Sequence, residues 1–273
     1  MYRQASKQQR EQTIVYLGPT PIGAGTFAMI AGPCAIEDRA QIDETAGFIA
    51  ECGAVGLRGG AYKPRTSPYS FQGLGDEAVE LIGRASLRFG VPCVVEALAE
   101  EQLPLLSRHV GMIQIGARNM QNFALLKVAA RTGLPVLLKR SAAATLDEVL
   151  YAAEYLLLEG NPNVVLCERG IRGFDPQTRN VFDLAGALRL KELTHLPVIV
   201  DPSHATGRAS LVTPLVLAAA AAGLDGAIVE VHPRPIDARS DAEQALDFPG
   251  FDALMKRLRA TVEFSLNEPA VAV

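Results

Sequence analysis

The chain has 273 residues, 49% hydrophobic and 21% charged, with a formal net charge of −4, enough to bury one sizeable core. No long basic stretch argues for nucleic acid, and the longest apolar stretch, residues 211–224, is broken by Thr213 and Pro214. That stretch falls short of the about 20 residues a membrane span needs. Residues 1–12 are polar and lack the apolar core of a signal peptide. Cys34, Cys52, Cys93 and Cys167 are widely spaced and form no CxxC pair, so reduced thiols and a cytoplasmic location are expected.

Along the chain, IVYLGPTPIGAG comes first and reads as a small hairpin closing one end of the domain. Short β-branched runs then alternate with longer segments of helical spacing. The runs are FAMIAG, AVGLRG, VPCVVEA, MIQIGA, PVLLKR, NVVLCERG, PVIVDPSH and DGAIVEVH, eight in all. The spacing predicts helices over 39–51, 76–89, 100–108, 121–131, 145–159, 181–193, 211–222 and 250–262. Asp38 and Thr145 suit N-caps, and Gly53, Gly90, Gly133, Gly160 and Gly223 fall just past helix ends. Strict alternation, with no GxGxxG after the first run, favours a closed (β/α)8 barrel over an open dinucleotide-binding sheet. Such barrels take about 250 residues. The expected organisation is an N-terminal extension and hairpin capping the barrel floor over 1–26, the barrel over 27–263, and a flexible tail over 264–273.

Active sites of such barrels lie at the C-terminal ends of the strands. The first run is followed there by Cys34, the second by Arg58, Lys63 and Arg65. The next three end in Glu96, in Arg118, and in Lys139 with Arg140; the last three in Glu168 and Arg169, in Asp201 and His204, and in Glu230 and His232. Any one of these could be an ordinary salt bridge or cap. Six cations (Arg58, Lys63, Arg65, Arg118, Lys139, Arg169) at one mouth would repel one another unless anions join them. Arginine suits bidentate contact with phosphate or carboxylate, so substrates bearing at least two such groups are implied. Cys34, His204, Glu230 and Asp241 form a mixture suited to Mn, Fe, Co or Zn, although their spacing is no metal motif and a buried cysteine is usually a small core residue. His109 and His195 are expected at the surface.

IAGPCAIE, LRGGAYKPRTSPYSFQGLG, QIGARNMQNF, LLKR, LCERGIR, LPVIVDPSHATGR and VEVHP, in this order, resemble 3-deoxy-D-arabino-heptulosonate 7-phosphate (DAHP) synthases of the short microbial type related to KDO 8-phosphate synthase. The resemblance spans residues 14–258. It implies a metal-dependent condensation of phosphoenolpyruvate with erythrose 4-phosphate, the first step of the shikimate pathway. Cys34, His204, Glu230 and Asp241 would hold one divalent ion. Arg58 and Lys63 would hold the phosphoenolpyruvate carboxylate, and Arg118, Lys139 and Arg169 its phosphate. Arg65 and Thr66 would meet erythrose 4-phosphate. Lys63, His204, Glu96 and Asp201 would be the catalytic groups, with Lys63 as general acid at the aldehyde oxygen. The resemblance also implies a homo-oligomer, dimer or tetramer, with a chorismate mutase as an open partner.

Two stretches depart from the family pattern and bear on loop geometry: Ala97-Leu98-Ala99, and Ser141 where glycine is usual. The alternatives are a KDO 8-phosphate synthase-like enzyme using arabinose 5-phosphate, a Schiff-base aldolase with Lys139, and an inactive barrel serving as a partner-binding subunit.

Overall fold

A computed structural model describes residues 3–23, 25–65 and 67–267. The chain opens with β1 (Val15–Leu17) and β2 (Thr20–Ile22), then β3 (Ala28–Gly32) and α1 (Arg39–Glu51). After these are β4 (Gly56–Arg58), α2 (Asp76–Phe89), β5 (Cys93–Ala97), α3 (Leu103–His109), β6 (Met112–Ile115) and α4 (Phe123–Arg131). Next come β7 (Val136–Lys139), α5 (Leu146–Leu158), β8 (Val164–Glu168), α6 (Leu184–Leu193) and β9 (Val198–Val200). The last elements are α7 (Pro202–Thr206), α8 (Ala209–Ala221), β10 (Gly226–Glu230) and α9 (Phe248–Asn267). Strands β3 to β10 pair in parallel in chain order and β10 closes on β3, so the predicted (β/α)8 barrel is what forms. Among the described residues no helix is long and apolar enough to cross a membrane.

Helix ends follow local chemistry. The Asp38 carboxylate accepts from the Gln41 amide, and Thr145 and Glu148 form a reciprocal capping box. All five predicted helix-stop glycines have positive φ, for example 68° at Gly90. The last helix runs further than predicted, from Phe248 to Asn267, so residues 264–267, expected in a flexible tail, continue the helix.

The strands alternate with period two. Met29, Leu57, Val95, Ile113, Leu138, Leu166, Val200 and Val229 point outward into one apolar cluster with the helices. Ile30, Val94, Met112, Leu137, Cys167, Ile199 and Ile228 point inward and form a second. Val15, Leu17 and Ile22 of the β1–β2 hairpin join that inner cluster. A Cβ at Gly18 would stand 2.5 Å from Pro92, just before β5 begins, which puts the hairpin on the barrel floor. There the N-terminal segment is tied down by His195, only 8% exposed and not at the surface as expected. Its Nε2 donates to the Gln4 carbonyl at 2.7 Å, and its Nδ1 accepts from Thr13 Oγ1 at 2.8 Å.

Candidate active site at the barrel mouth

The inward period continues into the site. Two residues past an inner apolar or small residue, each of seven strands presents a polar one. Gly56 leads to Arg58, Val94 to Glu96, Met112 to Gln114, Leu137 to Lys139, Cys167 to Arg169, Ile199 to Asp201 and Ile228 to Glu230. Only β3 ends inward in glycine, where a Cβ at Gly32 would fall 2.0 Å from the Arg58 carbonyl oxygen. The floor and middle of the barrel are thus apolar and its mouth charged.

The mouth opens into a cavity of about 730 Å³. All six predicted cations line it, together with Arg172 and Arg179; Glu96 and Asp241 are the two lining carboxylates among the described residues. Thr66 lies outside the described residues. Arg140 and Glu168, next in line to Lys139 and Arg169, take the outward parity instead. Arg140 bridges Glu168 and Asp183 at 2.8 Å each and donates to the Ala144 carbonyl. Arg140→Met would leave the fully buried Glu168 carboxylate without its cation. We expect a loss of about 3–5 kcal/mol in chemical denaturation, and a loss below about 1 kcal/mol would refute the bridge as a support.

Below the cavity, Arg58 Nη1 donates to Glu230 Oε1 at 2.6 Å, while Arg58 Nε is buried without a hydrogen-bond partner among the described residues. Burial works against the Arg58 charge, but Glu230, Cys34 and Asp201 together outweigh it and raise the guanidinium above its ordinary value. Asp201, 1% exposed, caps α7, accepts from His204 Nδ1 at 2.8 Å and pairs with Lys139. Burial opposes its charge, yet His204 and Lys139 hold its carboxyl well below the usual carboxylate range. Arg169 differs: it is 9% exposed and, among the described residues, makes no hydrogen bond or ion pair. Burial pushes its guanidinium down from the ordinary arginine value, with Asp201 opposing and Arg179 adding to the shift.

One side of the cavity gathers three of the four donors predicted for a metal, and the fourth, His204, stands beside one of them. Ligand atoms of Cys34, Glu230 and Asp241 lie within 4.8 Å of one another, and His204 Nε2 stands 3.2 Å from Glu230 Oε1. The Cys34 thiol donates to Asp241 Oδ2 at 2.9 Å and accepts from Lys63 Nζ at 2.9 Å. Burial, then Glu230, pushes the thiol up to about 12. Burial also lowers His204, favouring the neutral imidazole. With Asp201 fixing Nδ1–H, Nε2 keeps its lone pair toward Glu230. Asp241 is held at φ 53°, the one positive-φ residue other than glycine among the described residues. One sulfur, one imidazole nitrogen and two carboxylates fit a first-row divalent ion.

Elsewhere the site is braced by local contacts. Arg65 donates to the Phe71 carbonyl and stands 4.0 Å from Asp241; Arg118 donates to the Pro64 carbonyl. Gln114 donates to Glu96 Oε2 at 3.1 Å, and a Cβ at Gly116 would fall 1.9 Å from Glu96 Oε1, so that glycine makes room for the carboxylate. At the two departures from the family pattern, the Leu98 and Ala99 amides donate to Gln102, and the Ser141 amide to Met120 Sδ. Arg172, Arg179, Gln114 and Gln244 were not singled out in the sequence. Gln114 was visible as a polar residue inside an apolar run; Arg172 and Arg179 lie on a loop that folds back through the Ile171–Val181 bridge.

Comparison with known proteins agrees with this architecture. The model of the DAHP synthetase I family matches residues 6–263. A phospho-2-dehydro-3-deoxyheptonate aldolase of Thermotoga maritima is 50% identical over 249 residues, covering 91% of this chain and 74% of that protein. A 2-dehydro-3-deoxyphosphooctonate aldolase of Agrobacterium fabrum is 32% identical, covering 86% of this chain and 88% of its own. The crystal structure of the Thermotoga maritima DAHP synthase superposes with a TM-score of 0.94 at 47% identity, covering 96% of this chain and 77% of that one. A truncated form of the Thermotoga maritima enzyme gives 0.89 at 43% identity, covering 95% and 96%. With the family model matched over nearly its whole length and a barrel that superposes this closely, the chain belongs to the DAHP synthetase I family.

Proposed function

We propose that the chain condenses phosphoenolpyruvate with erythrose 4-phosphate, giving DAHP and inorganic phosphate. Arg169 carries the substrate class: a buried guanidinium that makes no hydrogen bond or ion pair among the described residues, beside Lys139 and Arg118, calls for a bound dianion. Arg58 and Lys63 would hold the phosphoenolpyruvate carboxylate, with the partnerless Arg58 Nε available as a donor. Arg65 would meet the phosphate of the aldose. In the reaction, C3 of phosphoenolpyruvate bonds to the aldehyde carbon, and the aldehyde oxygen takes up a proton, for which Lys63 Nζ is the candidate source. Water adds at C2, and phosphate leaves with cleavage of the C–O bond, so the water oxygen becomes the C2 carbonyl oxygen.

Holding two anions in contact is the main task of the cation cluster, and positioning of this kind is worth roughly 7–11 kcal/mol. A divalent ion at Cys34, His204, Glu230 and Asp241, when bound, supplies Lewis-acid polarisation of a carbonyl oxygen. Asp201 serves His204 and Lys139 at once, and Glu96 is the candidate for handling the proton of the attacking water. The family resemblance supports a cytoplasmic homo-oligomer and an ion such as manganese. The arabinose 5-phosphate reading is carried by more distant relatives, 32% against 50% identical. Against the inactive-barrel reading stands the cavity itself, lined by all six predicted cations.

Phosphate release from phosphoenolpyruvate tests the proposal, with each aldose phosphate, with Mn(II) and with a chelator. Release is expected only with erythrose 4-phosphate and the metal. Release with arabinose 5-phosphate alone would move the chain to the other branch. Release with neither, from folded and metal-loaded protein, would end the enzymatic reading.

A further inference from the structure

Glu230 ends β10 with its carboxylate fully buried, and three side chains meet it. Arg58 and His204 face Oε1, at 2.6 and 3.2 Å. Oε2 accepts a 2.7 Å hydrogen bond from Nε2 of Gln244. Gln244 is itself 3% exposed, and its Oε1 accepts from Arg179 Nη1 at 3.4 Å. Chemistry dictates the order of atoms in this chain. A carboxylate only accepts and a guanidinium only donates, so the group joining them must donate at one end and accept at the other. A primary amide does both. Glutamate at this position would set two anions face to face, and asparagine would fall a methylene short.

The loop after β10 has other anchors. The Leu246 amide donates to the Glu230 carbonyl, the His232 amide to the Leu246 carbonyl, and the Gln244 amide to the Asp241 carbonyl. The Gln244 side chain is therefore spared the task of holding the backbone, and its amide is spent on the carboxylate. Arg179 reaches it from a different loop, the one between β8 and α6.

We propose that Gln244 is a positioning residue: it fixes the Glu230 carboxylate so that Oε1 is presented beside His204 Nε2, and Arg179 fixes Gln244 in turn. The inference rests on reading the Cys34, His204, Glu230 and Asp241 cluster as a metal centre. Outer partners of metal ligands typically contribute about 10–100-fold to metal affinity, and that is the size expected here.

The test is Mn(II) affinity of the full chain after metal stripping, measured by competition with a chromogenic chelator. The melting temperature of the stripped protein is the control. Gln244→Leu is expected to weaken Mn(II) binding about 10–100-fold, and Arg179→Met to weaken it by a smaller factor. A purely structural role would lower the melting temperature and leave the affinity in place, which would overturn the proposal. Cys34→Ala separates the two readings. If it loses Mn(II) while Gln244→Leu binds like the parent, the positioning role is wrong and the metal centre stands. If Cys34→Ala also binds like the parent, the metal centre is misplaced and the inference falls with it. Should Gln244→Leu fail to fold, Gln244→Asn, which keeps the amide but withdraws it, is judged by the same criteria. Unchanged affinity in Arg179→Met would remove Arg179 from the relay.

Discussion

Cys34→Ala is expected to lower divalent-metal affinity by more than about 100-fold and to abolish phosphate release at micromolar metal, with the barrel intact. Loss of an outer partner already costs about 10–100-fold, and Cys34 supplies the one sulfur of the donor set. The fold should survive because the Cys34 carbonyl still accepts from Lys63 Nζ, and Lys63 is left beside Asp241. The thiol is protonated in this pocket, pushed up to about 12 by burial and by Glu230, so metal uptake must displace its proton. Parent affinity should therefore rise with pH, and the dependence should lose one proton per ion in the variant. Chelator competition across pH measures both. A variant that binds Mn(II) like the parent would leave Cys34 as a mere partner of Lys63 and Asp241.

Why these residues were legible in sequence comes down to the period of a strand. Lys139, Arg169, Asp201 and Glu230 each sit two residues beyond an inward apolar residue, so an apolar run that ends in a charge points that charge into the mouth. The same parity sends Arg140 and Glu168 outward to a buried structural bridge, a distinction that reading strand ends as a group cannot make. What stayed hidden was long-range. His195 looks like a surface histidine until the N-terminal segment folds under it to supply Thr13 and Gln4. Arg179 and Gln244 lie 65 positions apart on loops whose local sequence has no strand or helix period. The φ of Asp241 could not be inferred either, since aspartate is one of several residues that tolerate the left-handed region.

Removing the Arg169 charge is expected to act in opposite directions on stability and on catalysis. Its guanidinium is 9% exposed and finds neither a hydrogen bond nor an ion pair among the described residues, while burial and neighbouring Arg179 press against its charge. Arg169→Met keeps much of the aliphatic length and deletes a desolvated charge, so the free protein should gain about 1–3 kcal/mol and a few degrees in Tm. Catalysis should suffer, because a cation aimed at the phosphate of phosphoenolpyruvate typically accounts for about 10²–10³ in rate. The excess should appear in kcat/KM for phosphoenolpyruvate, with KM for erythrose 4-phosphate little changed. Phosphoenolpyruvate should raise the Tm of the parent and much less that of the variant, since a ligand stabilises only in proportion to its affinity for the folded state. A variant that is less stable than the parent, with KM for phosphoenolpyruvate unmoved, would place Arg169 among the structural cations, alongside Arg140. The opposing signs matter because the two roles differ in what supplies the counterion: for Arg140 it is Glu168 and Asp183, built into the fold, and for Arg169, on the proposed reading, it would be the substrate.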